Sequence, residues 1–537
     1  MKYVFVSGGV ISGIGKGIAT ASISLLLKSA GYRVAPLKID PYLNVDAGTM
    51  NPIHHGEVFV LDDGMETDQD LGNYERFLGE SLNRNNYTTS GQVYLSVIQR
   101  ERALQYDGDC VEAVPHIPLE FINRIEAAGK SMNADIVVIE IGGTVGELQN
   151  VFIFEANRML KMRHPSDVVH VHLSYLPIPP SIGEMKSKPV QMSVKELNSL
   201  GIHPDILLAR SPEPIDDTRR RKLAMFCAVE SEDIIAAPDV KNIYEVPVNF
   251  EVGNLTQRIL KKLKLKRKKK DLDEWKGYIK KISTAKTEVK IGVVGKYFST
   301  GDFTLADSYI SVIEAVKHAS FNQGFIPKMT WLDAGQVLKN PELLKGYQGI
   351  IVPGGFGSRD IEGKIATIKY VRENKIPYLG LCYGMQMAVV EYARNVLKFK
   401  NANSTEIDQK AKYPVIHVMP DQAKKLLARE YGGTMRLGAW DCVLKTGTLT
   451  KKLYGKDKIS ERHRHRFEFN NEYLKDFLSK GLVVAGTTPD GKLVEIIELK
   501  DHPFFVGTQF HPELKSKPLD PHPLFLGFIK AASNLQS

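Results

Sequence analysis

Cysteine is scarce in this sequence. Four cysteines occur among 537 residues, and no two of them form a Cys-x-x-Cys pair. This excludes a disulfide-stapled secreted fold and a cysteine zinc site, and it is typical of a reducing compartment. Apolar runs long enough to span a membrane are also absent, and the N-terminus enters a strand-like segment without a leader. We therefore expect a cytoplasmic protein with no membrane partner.

Basic residues exceed acidic ones, which on its own would allow a nucleic-acid partner. The formal net charge is +9, but eight of the ten residues at 261–270 are Lys or Arg. A solvated linker explains such a run, so we predict no nucleic-acid partner. A new apolar segment begins at Val289. We accordingly predict a domain at 1–265, a basic linker at 266–288 and a second domain at 289–537.

Apolar β-rich segments alternate with helix-like stretches in both halves of the chain. Nearly continuous apolar strands between helices are typical of parallel sheets that are covered on both faces. The sequence therefore predicts an α/β fold. The predicted strands lie at 3–7, 33–39, 135–141, 168–173, 289–295, 349–353, 376–382 and 503–510.

Cys382 stands in Gly380-Leu381-Cys382-Tyr383-Gly384, after an apolar run and before a helix-like stretch. Glycines on both sides allow a turn so sharp that the sulfur stands clear at a helix N-terminus, as in a nucleophile elbow. The helix dipole and its free N–H groups favour the thiolate, which is the reactive form. Taken alone, a buried cysteine is more often an inert part of a core.

A cysteine nucleophile needs a base, an orienting group and an oxyanion hole. The apolar segment 504–510 ends in His511-Pro512-Glu513, so His511 can take the thiol proton and Glu513 can orient the imidazole. Another strand-like segment ends in Pro353-Gly354-Gly355, whose N–H groups suit a tetrahedral intermediate. Each element is weak by itself, but three of them at strand ends predict a Cys-His-Glu site.

A glycine-rich loop follows the first predicted strand and leads through Lys16 into a helix-like stretch. This order is that of a phosphate-binding loop, in which backbone N–H groups hold phosphates and the lysine neutralises them. The usual pattern is not met, because Val10 replaces its first glycine and Gly17 replaces the Ser or Thr that contacts Mg²⁺. The alternative is a glycine-rich turn with a surface lysine.

Without that hydroxyl, Mg²⁺ would need carboxylates from elsewhere. Asp70 and Glu140 are the candidates: Glu140 ends a predicted strand, and acids at the carboxyl ends of parallel strands face the ligand crevice. Asp70 can equally be a solvated loop carboxylate.

The second half resembles the class I glutamine amidotransferases at 353–357, 380–386 and 511–513. The whole chain resembles the CTP synthase family, and this resemblance implies a P-loop-type domain in front and a flavodoxin-like glutaminase domain behind. The segments that carry it lie at 8–17, 38–46, 55–60, 140–146, 186–191, 403–406, 432–438 and 462–468.

The resemblance implies an enzyme that makes CTP from UTP, ATP and glutamine. In that family ATP phosphorylates O4 of the uracil ring, and ammonia from glutamine displaces the phosphate. It further implies Mg²⁺ with ATP, no organic prosthetic group, activation by GTP and inhibition by CTP. A homotetramer is expected, and filaments occur in the family.

The family's functional positions transfer to this sequence residue by residue. ATP is expected at Gly13, Ile14, Gly15, Lys16, Gly17, Ile18, Lys38, Asp70 and Val240, with Mg²⁺ on Asp70 and Glu140. UTP or CTP is expected at Ser12, Glu147, Gln149, Lys186, Ser187, Lys188, Gln191 and Lys222. Glutamine is expected at Gly355, Tyr383, Gly384, Met385, Gln386, Glu406 and Arg466, and the GTP effect at Phe356 and Arg436.

Three departures from the family pattern concern recognition rather than catalysis. Gly146-Glu147-Leu148-Gln149 stands where Gly-Asp-Ile-Glu is usual, so Gln149 keeps hydrogen bonding but loses a charge that is tied to CTP inhibition. Met192 replaces a histidine, and Tyr383 replaces a leucine beside the nucleophile.

Two other functions are compatible with parts of the pattern. A cobyrinate or cobyric acid amidating synthase also joins a phosphate loop to a glutaminase, but it does not explain the segments at 186–191, 403–406 and 462–468. A non-catalytic, filament-forming homologue would not need the Cys-His-Glu set. Read alone, the run 462–466 would suggest a nucleic-acid patch.

Overall fold

The computed structural model describes residues 1–50, 56–295, 306–355, 357, 360–418 and 435–536. Its contacts divide the chain into two compact units. The first comprises Met1–Ala47 with Asp70–Ile279, and the second comprises Gly48–Gln69 with Lys280–Ser537. The short segment Gly48–Gln69 therefore packs with the second unit although its sequence neighbours on both sides belong to the first. The domain boundaries at 265 and 289 stay predictions.

The strands of the described residues are numbered here in chain order. They are β1 Lys2–Gly8, β2 Val34–Asp40, β3 Phe59–Val60, β4 Glu66–Thr67, β5 Tyr87–Thr89, β6 Ile136–Ile141, β7 Val168–Tyr175, β8 Ile206–Ser211, β9 Ile234–Pro238, β10 Thr287–Gly295, β11 Phe325–Asp333, β12 Gly349–Val352, β13 Tyr378–Leu381, β14 Ala402–Ser404, β15 Tyr413–Val418, β16 Arg436–Leu444, β17 Lys458–His465, β18 Phe467–Phe469, β19 Leu482–Thr487, β20 Val494–Leu499 and β21 Phe505–Thr508.

The α-helices are numbered in the same way. They are α1 Lys16–Ser29, α2 Asp70–Leu78, α3 Ser90–Arg102, α4 Ala113–Ser131, α5 Val151–Arg163, α6 Lys188–Ser199, α7 Asp217–Cys227, α8 Val246–Val252, α9 Leu255–Lys262, α10 Asp273–Thr284, α11 Ile310–Asn322, α12 Ala334–Lys339, α13 Ile361–Glu373, α14 Tyr383–Asn395, α15 Leu449–Tyr454, α16 Leu474–Ser479 and α17 Pro523–Ser533.

The first unit is built on a seven-stranded parallel sheet in the order β5-β2-β6-β1-β7-β8-β9. Its central strands are buried along nearly their whole length, and in β6 all six residues are buried. Strands that are covered on both faces need apolar side chains at successive positions, which is why the sequence reads as apolar runs. The predicted parallel sheet and its four predicted strands are confirmed.

The strand order of this sheet determines where a ligand site can form. Strand β1 lies between β6 and β7, and all three run in the same direction. Their carboxyl ends therefore share one edge, which brings the loop after Gly8 beside Glu140 and the turn after Ile141. Ligands of open α/β sheets bind at this edge.

The second unit contains a nine-stranded sheet in the order β11-β10-β12-β13-β21-β20-β19-β16-β17. The first five strands are parallel and include the four that the sequence predicted. The remaining strands pair antiparallel, and the sequence analysis did not predict them. Buried and exposed residues alternate along part of β16, which is typical of an antiparallel strand with one covered face. Neighbouring antiparallel strands do not need a crossover helix to connect them.

The basic stretch after residue 260 is packed against the first unit. The backbone N–H groups of Lys268 and Lys269 both donate to the carbonyl of Ala30 at 3.1 Å. The Lys268 ammonium lies 4.1 Å from the centre of the Tyr32 ring. Helix α10 then buries Trp275, whose indole N–H donates to the carbonyl of Tyr244 at 2.8 Å. In the part of the chain that the structure describes, no helix combines the length and apolarity that a bilayer crossing needs.

Candidate active sites

Cys382 stands in the sharp turn between β13 and α14. Its backbone angles are φ 49° and ψ −98°, a conformation that L-residues rarely adopt, and its N–H donates to the carbonyl of Thr508 at 2.6 Å. A Cβ on Gly384 would lie 2.1 Å from the carbonyl oxygen of Val352, so only glycine fits there. The glycine-flanked turn predicted from the sequence is therefore present, with the thiol at the start of a 13-residue helix.

His511 and Glu513 lie beside this thiol. Nδ1 of His511 is 2.7 Å from a carboxylate oxygen of Glu513, and both side chains are largely buried. Burial by itself would lower the pKa of His511, but the charges of Glu513 and Cys382 outweigh it and raise that pKa well above its ordinary value. The geometry thus favours a protonated imidazole that the Glu513 carboxylate holds beside the Cys382 sulfur.

A cavity of about 120 Å³ opens onto these three side chains. Gly355 contributes to its lining, so the predicted glycine-rich strand end reaches the site. Glu57 and Val58 line it too, and the Glu57 carboxylate accepts the backbone N–H of Ser311 at 3.1 Å. Sequence reasoning missed these two residues, since nothing local indicates that a segment some 300 positions away reaches the nucleophile.

Gln386 and Glu406 carry the polar groups expected to recognise glutamine. The side-chain amide of Gln386 donates to the carbonyl of Phe467 at 3.0 Å, while its own carbonyl oxygen is buried and accepts no hydrogen bond from the described residues. A carboxylate oxygen of Glu406 accepts the N–H of Gly357 at 2.8 Å. An orphaned buried acceptor of this kind suits a ligand that donates, such as an ammonium group.

Tyr383, Met385 and Arg466 differ in what they can offer a ligand. The Tyr383 hydroxyl donates to the carbonyl of Gly357 at 2.7 Å, which connects the nucleophile elbow to the glycine-rich segment that follows β12. Met385 is fully buried and packs within 3.1 Å of where a Cβ on Gly507 would lie, so its side chain belongs to the core. Arg466 is half-buried in the link between β17 and β18.

The predicted phosphate loop lies between β1 and α1. Gly13 and Gly15 have φ values of 72° and 93°, the left-handed region that glycine adopts without strain, and α1 begins directly afterwards at Lys16. Gly17 and Ile18 form the first turn of the helix. The loop residues predicted to hold ATP therefore surround the N-terminus of a 14-residue helix, where free N–H groups attract anions.

Lys38 lies at the centre of a buried charge cluster beside this loop. Its ammonium donates to Glu140 at 2.8 Å, is ion-paired with Asp70 and lies 3.8 Å from Asp40. The hydroxyl of Tyr74 donates to the other oxygen of Glu140. The structure thus brings together the predicted Lys38, Asp70 and Glu140, and it adds Asp40 and Tyr74, which sequence reasoning missed.

Burial disfavours the charged forms of Lys16 and of two carboxylates in this cluster. Burial lowers the pKa of Lys16 in spite of Glu140, and its ammonium donates to the carbonyl of Gly143 at 2.6 Å. Burial likewise raises the pKa of Glu140 and of Asp40, against the opposing effect of Lys38. Among the described residues, no three His, Cys, Asp or Glu are arranged to hold a metal by themselves. Two hard carboxylates beside an anion loop fit Mg²⁺ that completes its shell with phosphate oxygens.

Glu147 and Gln149 form one hydrogen-bonded turn. The Gln149 amide donates to Glu147 at 2.6 Å, and the N–H and hydroxyl of Thr144 both donate to the other Glu147 oxygen at 2.7 Å. Burial opposes the charge on Glu147, but these hydrogen bonds prevail and lower its pKa. With glutamine at position 149, the Glu147 carboxylate therefore remains charged, and the Gln149 amide holds it in place.

The segment before α6 carries the other predicted uridine residues. Lys186 donates to Glu184 at 2.6 Å, and the charges of Lys186 and Lys222 both help to lower the pKa of that carboxylate. The Gln191 amide donates to the hydroxyl of Ser187 at 3.1 Å. Ser12 and Lys188 are exposed.

A small cleft of about 20 Å³ adjoins the phosphate loop on the side of β8 and β9. It is lined by Ile14 and Gly15 on one wall and by Arg210, Pro238 and Phe250 on others. Arg210 is ion-paired with Asp239 at 2.8 Å, next to the predicted Val240. Sequence reasoning missed Arg210 and Phe250, which carry no local motif.

Arg436, expected to contribute to the GTP effect, is buried inside the second unit. Its guanidinium lies 3.3 Å from Glu468 and 2.6 Å from Glu495. Phe356, the other residue of that expectation, lies outside the described residues. Arg462 and Arg464 are likewise ion-paired, with Asp62 at 2.6 Å and Glu66 at 2.7 Å, so two arginines of the run 462–466 are held internally rather than presented as a nucleic-acid patch.

Known proteins match this chain along its whole length. Residues 2–265 match the family described as CTP synthase N-terminus, and residues 304–531 match glutamine amidotransferase class-I. CTP synthase from Caldanaerobacter subterraneus is 49% identical over 100% of this chain and 99% of its own length. CTP synthase from Bacillus subtilis is 47% identical over 99% of this chain and 98% of its own length.

Among solved structures, the glutaminase domain of Trypanosoma brucei CTPS with bound acivicin is 34% identical. That match covers 46% of this chain and 94% of the domain, with a TM-score of 0.43. The full-length identity to curated CTP synthases, rather than this match, decides the family. The chain belongs to the CTP synthase family, glutamine-hydrolysing ligases that join a synthase domain to a class I glutamine amidotransferase domain.

Proposed function

We propose that this protein aminates UTP at C4 to give CTP, with ATP as the activating reagent and with nitrogen from glutamine or free ammonia. The observation that carries the proposal is that one chain holds two different sites. One is a Cys382–His511–Glu513 site for ammonia release, and the other is a phosphate loop beside Lys38, Asp70 and Glu140. Full-length similarity to CTP synthases supports joining these sites in one reaction.

In the second unit, the Cys382 thiolate attacks the side-chain carbonyl of glutamine. The C–N bond then breaks to leave a thioester, and the leaving amine takes the proton that His511 holds. Water hydrolyses the thioester and releases glutamate, with His511 accepting the proton from that water. Glu513 keeps the imidazole oriented, and the N–H of Gly355 with the N-terminus of α14 stabilises the oxyanion.

In the same unit, Gln386, Glu406 and Arg466 recognise the amino and carboxylate ends of glutamine. The buried carbonyl oxygen of Gln386 suits the substrate ammonium, and Arg466 suits the carboxylate. Tyr383, Gly384 and Met385 contribute through the backbone of the elbow.

In the first unit, O4 of the uracil ring attacks the γ-phosphorus of ATP, and ADP leaves. Ammonia then attacks C4, and the C–O bond breaks with release of inorganic phosphate. Lys16 and Lys38 neutralise the transferred phosphoryl group, and the loop from Gly13 to Ile18 holds the ATP phosphates. Mg²⁺, held by Asp70 and Glu140, supplies further charge neutralisation at the phosphates when it is bound.

The base and sugar of each nucleotide are assigned to the remaining residues. The cleft of Ile14, Arg210 and Phe250, together with the nearby Val240 two residues after its Pro238, takes the adenine side of ATP. UTP, and CTP as inhibitor, bind through Ser12, the Glu147–Gln149 turn, the segment Lys186–Gln191 and Lys222. Activation by GTP, a homotetramer and a cytoplasmic location complete the proposal.

Incubation with UTP, ATP, Mg²⁺ and glutamine tests this function, with the product followed by cytosine absorbance. CTP, ADP, phosphate and glutamate should form in equal amounts. Lack of CTP at saturating substrates with GTP present would contradict the proposal. Amidation of a corrinoid carboxylate under the same conditions would instead support the cobyrinate alternative.

A further inference from the structure

Five buried polar side chains form a continuous hydrogen-bonded chain behind the phosphate loop of the first unit. Asn157 contacts Nδ1 of His170 at 2.6 Å, and Nε2 of His170 is 2.7 Å from the hydroxyl of Ser7. That hydroxyl is 2.8 Å from Nδ1 of His172, whose Nε2 contacts the hydroxyl of Ser193. We call this chain the histidine relay.

The direction of donation along the histidine relay follows from its first member. The side-chain nitrogen of Asn157 can only donate, so Nδ1 of His170 accepts and the ring proton lies on Nε2. Burial lowers the pKa of both His170 and His172 to about 3, so both rings are neutral. His170 therefore donates to Ser7, the Ser7 hydroxyl donates to His172, and His172 donates to Ser193.

The relay joins three segments that carry the proposed nucleotide residues. Ser7 belongs to β1 and immediately precedes the phosphate loop, and Asn157 lies on α5, directly after the Glu147–Gln149 turn. Ser193 lies on α6, which holds Lys188 and Gln191. Each segment is thus connected to the others by hydrogen bonds, which require specific partner atoms to face each other. Apolar contacts between segments do not impose that requirement.

The far end of the relay also touches the loop itself. A Cβ on Gly9 would lie 2.8 Å from the Ser193 hydroxyl and 2.7 Å from that of Ser174, so α6 and β7 pack directly against the α-carbon of Gly9. All five relay side chains are buried, with His172 and Ser193 at 0% exposure. Such a network holds its members strictly when every partner is present, and it is costly to break.

We propose that His172 is a positioning residue for the uridine nucleotide, which through Ser7 and Ser193 holds helix α6 in register with the phosphate loop. This inference rests on the proposed UTP site. His172 touches no substrate atom. Its role is to set the distance between Lys188 and Gln191 on one side and the phosphate loop on the other.

The test uses the full-length enzyme and the variants His172→Phe, His172→Gln, Ser193→Ala and the double variant His172→Phe/Ser193→Ala. Gln can return a donor to the position of Nε2, so it should restore the contact with Ser193, while Phe keeps the ring without any donor. Ser199→Ala, on the same helix but with an exposed hydroxyl that donates to the backbone carbonyl of Glu196, is the matched control.

UTP binding is measured by calorimetry, and the KM values for UTP and ATP are measured with ammonia as the nitrogen source. His172→Phe and Ser193→Ala should each weaken UTP binding and raise its KM about tenfold, because a buried hydrogen-bond partner is lost. The KM for ATP and the glutaminase rate should stay within about twofold. The double variant should be no worse than the His172→Phe variant, and His172→Gln should recover most of the affinity.

The inference would be overturned if His172→Phe changed the KM values for UTP and ATP equally, or if its UTP affinity stayed within twofold of wild type. Additive effects of the two substitutions in the double variant would also overturn it. If the Phe variant does not fold, the smaller Ser193→Ala change decides by the same titration. A wild-type protein that binds UTP but makes no CTP would overturn the proposed function alone. Failure of the wild type to bind UTP would overturn both.

Discussion

The carboxylate of Asp70 occupies the space that a side chain at Gly17 would need. A Cβ on Gly17 would lie 1.9 Å from Oδ1 of Asp70 and 2.6 Å from its carboxyl carbon. Position 17 is where phosphate loops usually carry the hydroxyl that contacts Mg²⁺. Here a carboxylate from α2 reaches the same place, which explains why the usual pattern is broken at this residue.

Restoring the usual residue by Gly17→Ser should therefore abolish CTP synthesis instead of improving it. The new side chain would displace Asp70 and with it the ion pair to Lys38. We expect the rate to fall at least about a hundredfold with either glutamine or ammonia, since misplaced phosphate ligands cost this much. Glutaminase activity, which is assigned to the other unit, should remain within about twofold.

Gly277→Ala is the matched control for this substitution. Gly277 lies in α10, and a Cβ there would meet nothing within 4 Å, so activity should be unchanged. Synthase activity of the Gly17→Ser variant close to wild type would show that Asp70 does not need its present position.

Cys382→Ala should separate the two nitrogen sources. Glutamine-driven synthesis should be lost, because the sulfur forms the thioester, while ammonia-driven synthesis should persist within about twofold, because the thiol serves only ammonia release. Rates with each nitrogen source at saturating UTP and ATP measure this. Cys110→Ala, at an exposed cysteine, is the control. Equal loss with both sources would argue against separate sites.

Glu513→Gln should shift the reactivity of the nucleophile to higher pH. The Glu513 carboxylate raises the pKa of His511 against the effect of burial, so its removal lets burial lower that pKa. The imidazolium that stabilises the thiolate is then lost near neutral pH. We expect alkylation by iodoacetamide at pH 7 to slow about tenfold or more and to recover as the pH rises. A pH profile of alkylation that overlays the wild type would exclude this electrostatic role.

Much of the fold could be predicted because its signals are local. About ten consecutive residues are enough to predict each apolar strand of the parallel sheets and each glycine turn around Cys382 and Lys16. Glycine sets the backbone conformation locally, and a buried strand needs apolar side chains at successive positions. The antiparallel strands from β16 to β20 were missed. In β16, buried and exposed residues alternate only in part, and the pairing of these strands is decided by the rest of the sheet.

The parts of the candidate sites that escaped prediction are those formed by tertiary contact. Tyr74 joins the Lys38 cluster from helix α2, and Glu57 reaches the Cys382 cavity from a distant segment. His170 and His172 lie within a predicted strand and carry no motif at all. Their function depends on which hydroxyls face them, which no spacing rule states.

Glu468 makes the stability of the second unit depend on pH. Burial raises its pKa from 4.5 to about 8, and Arg436 offsets this only in part. Between these values the folded protein keeps a proton that the unfolded chain has released, so stability falls as the pH rises through that window. The loss is about 1.4 kcal/mol per pH unit at most.

Glu468→Gln should remove this loss, since the amide resembles the protonated acid. The melting temperature of the wild type relative to this variant should therefore decline from pH 5 to pH 8. Glu472→Gln, at an exposed glutamate in the segment that follows β18, should leave the decline in place. A constant difference across that range would show that Glu468 is ionised throughout.

The hairpin of β3 and β4 is held to the second unit by a buried arginine. Arg462 has no solvent exposure, and its Nε donates to Asp62 at 2.6 Å. The N–H of Ala439 also donates to the carbonyl of Asp62 at 2.8 Å, and a Cβ on Gly438 would lie 2.6 Å from the backbone nitrogen of Gly64, so the tip of the hairpin fits closely against β16.

Asp62→Asn should loosen this hairpin, because it removes the carboxylate charge that Nε of the buried Arg462 guanidinium contacts at 2.6 Å. The cost is about 1–3 kcal/mol, less than for a fully buried pair since Asp62 is partly exposed. Amide hydrogen exchange across 59–67 should therefore speed up about tenfold or more, while exchange in α14 stays unchanged. In the neighbouring Asp63→Asn variant, an exposed carboxylate within the turn is changed, and exchange should match the wild type. Unchanged exchange in the Asp62→Asn variant would mean that backbone contacts alone hold the hairpin, and the ion pair would then be incidental to its docking.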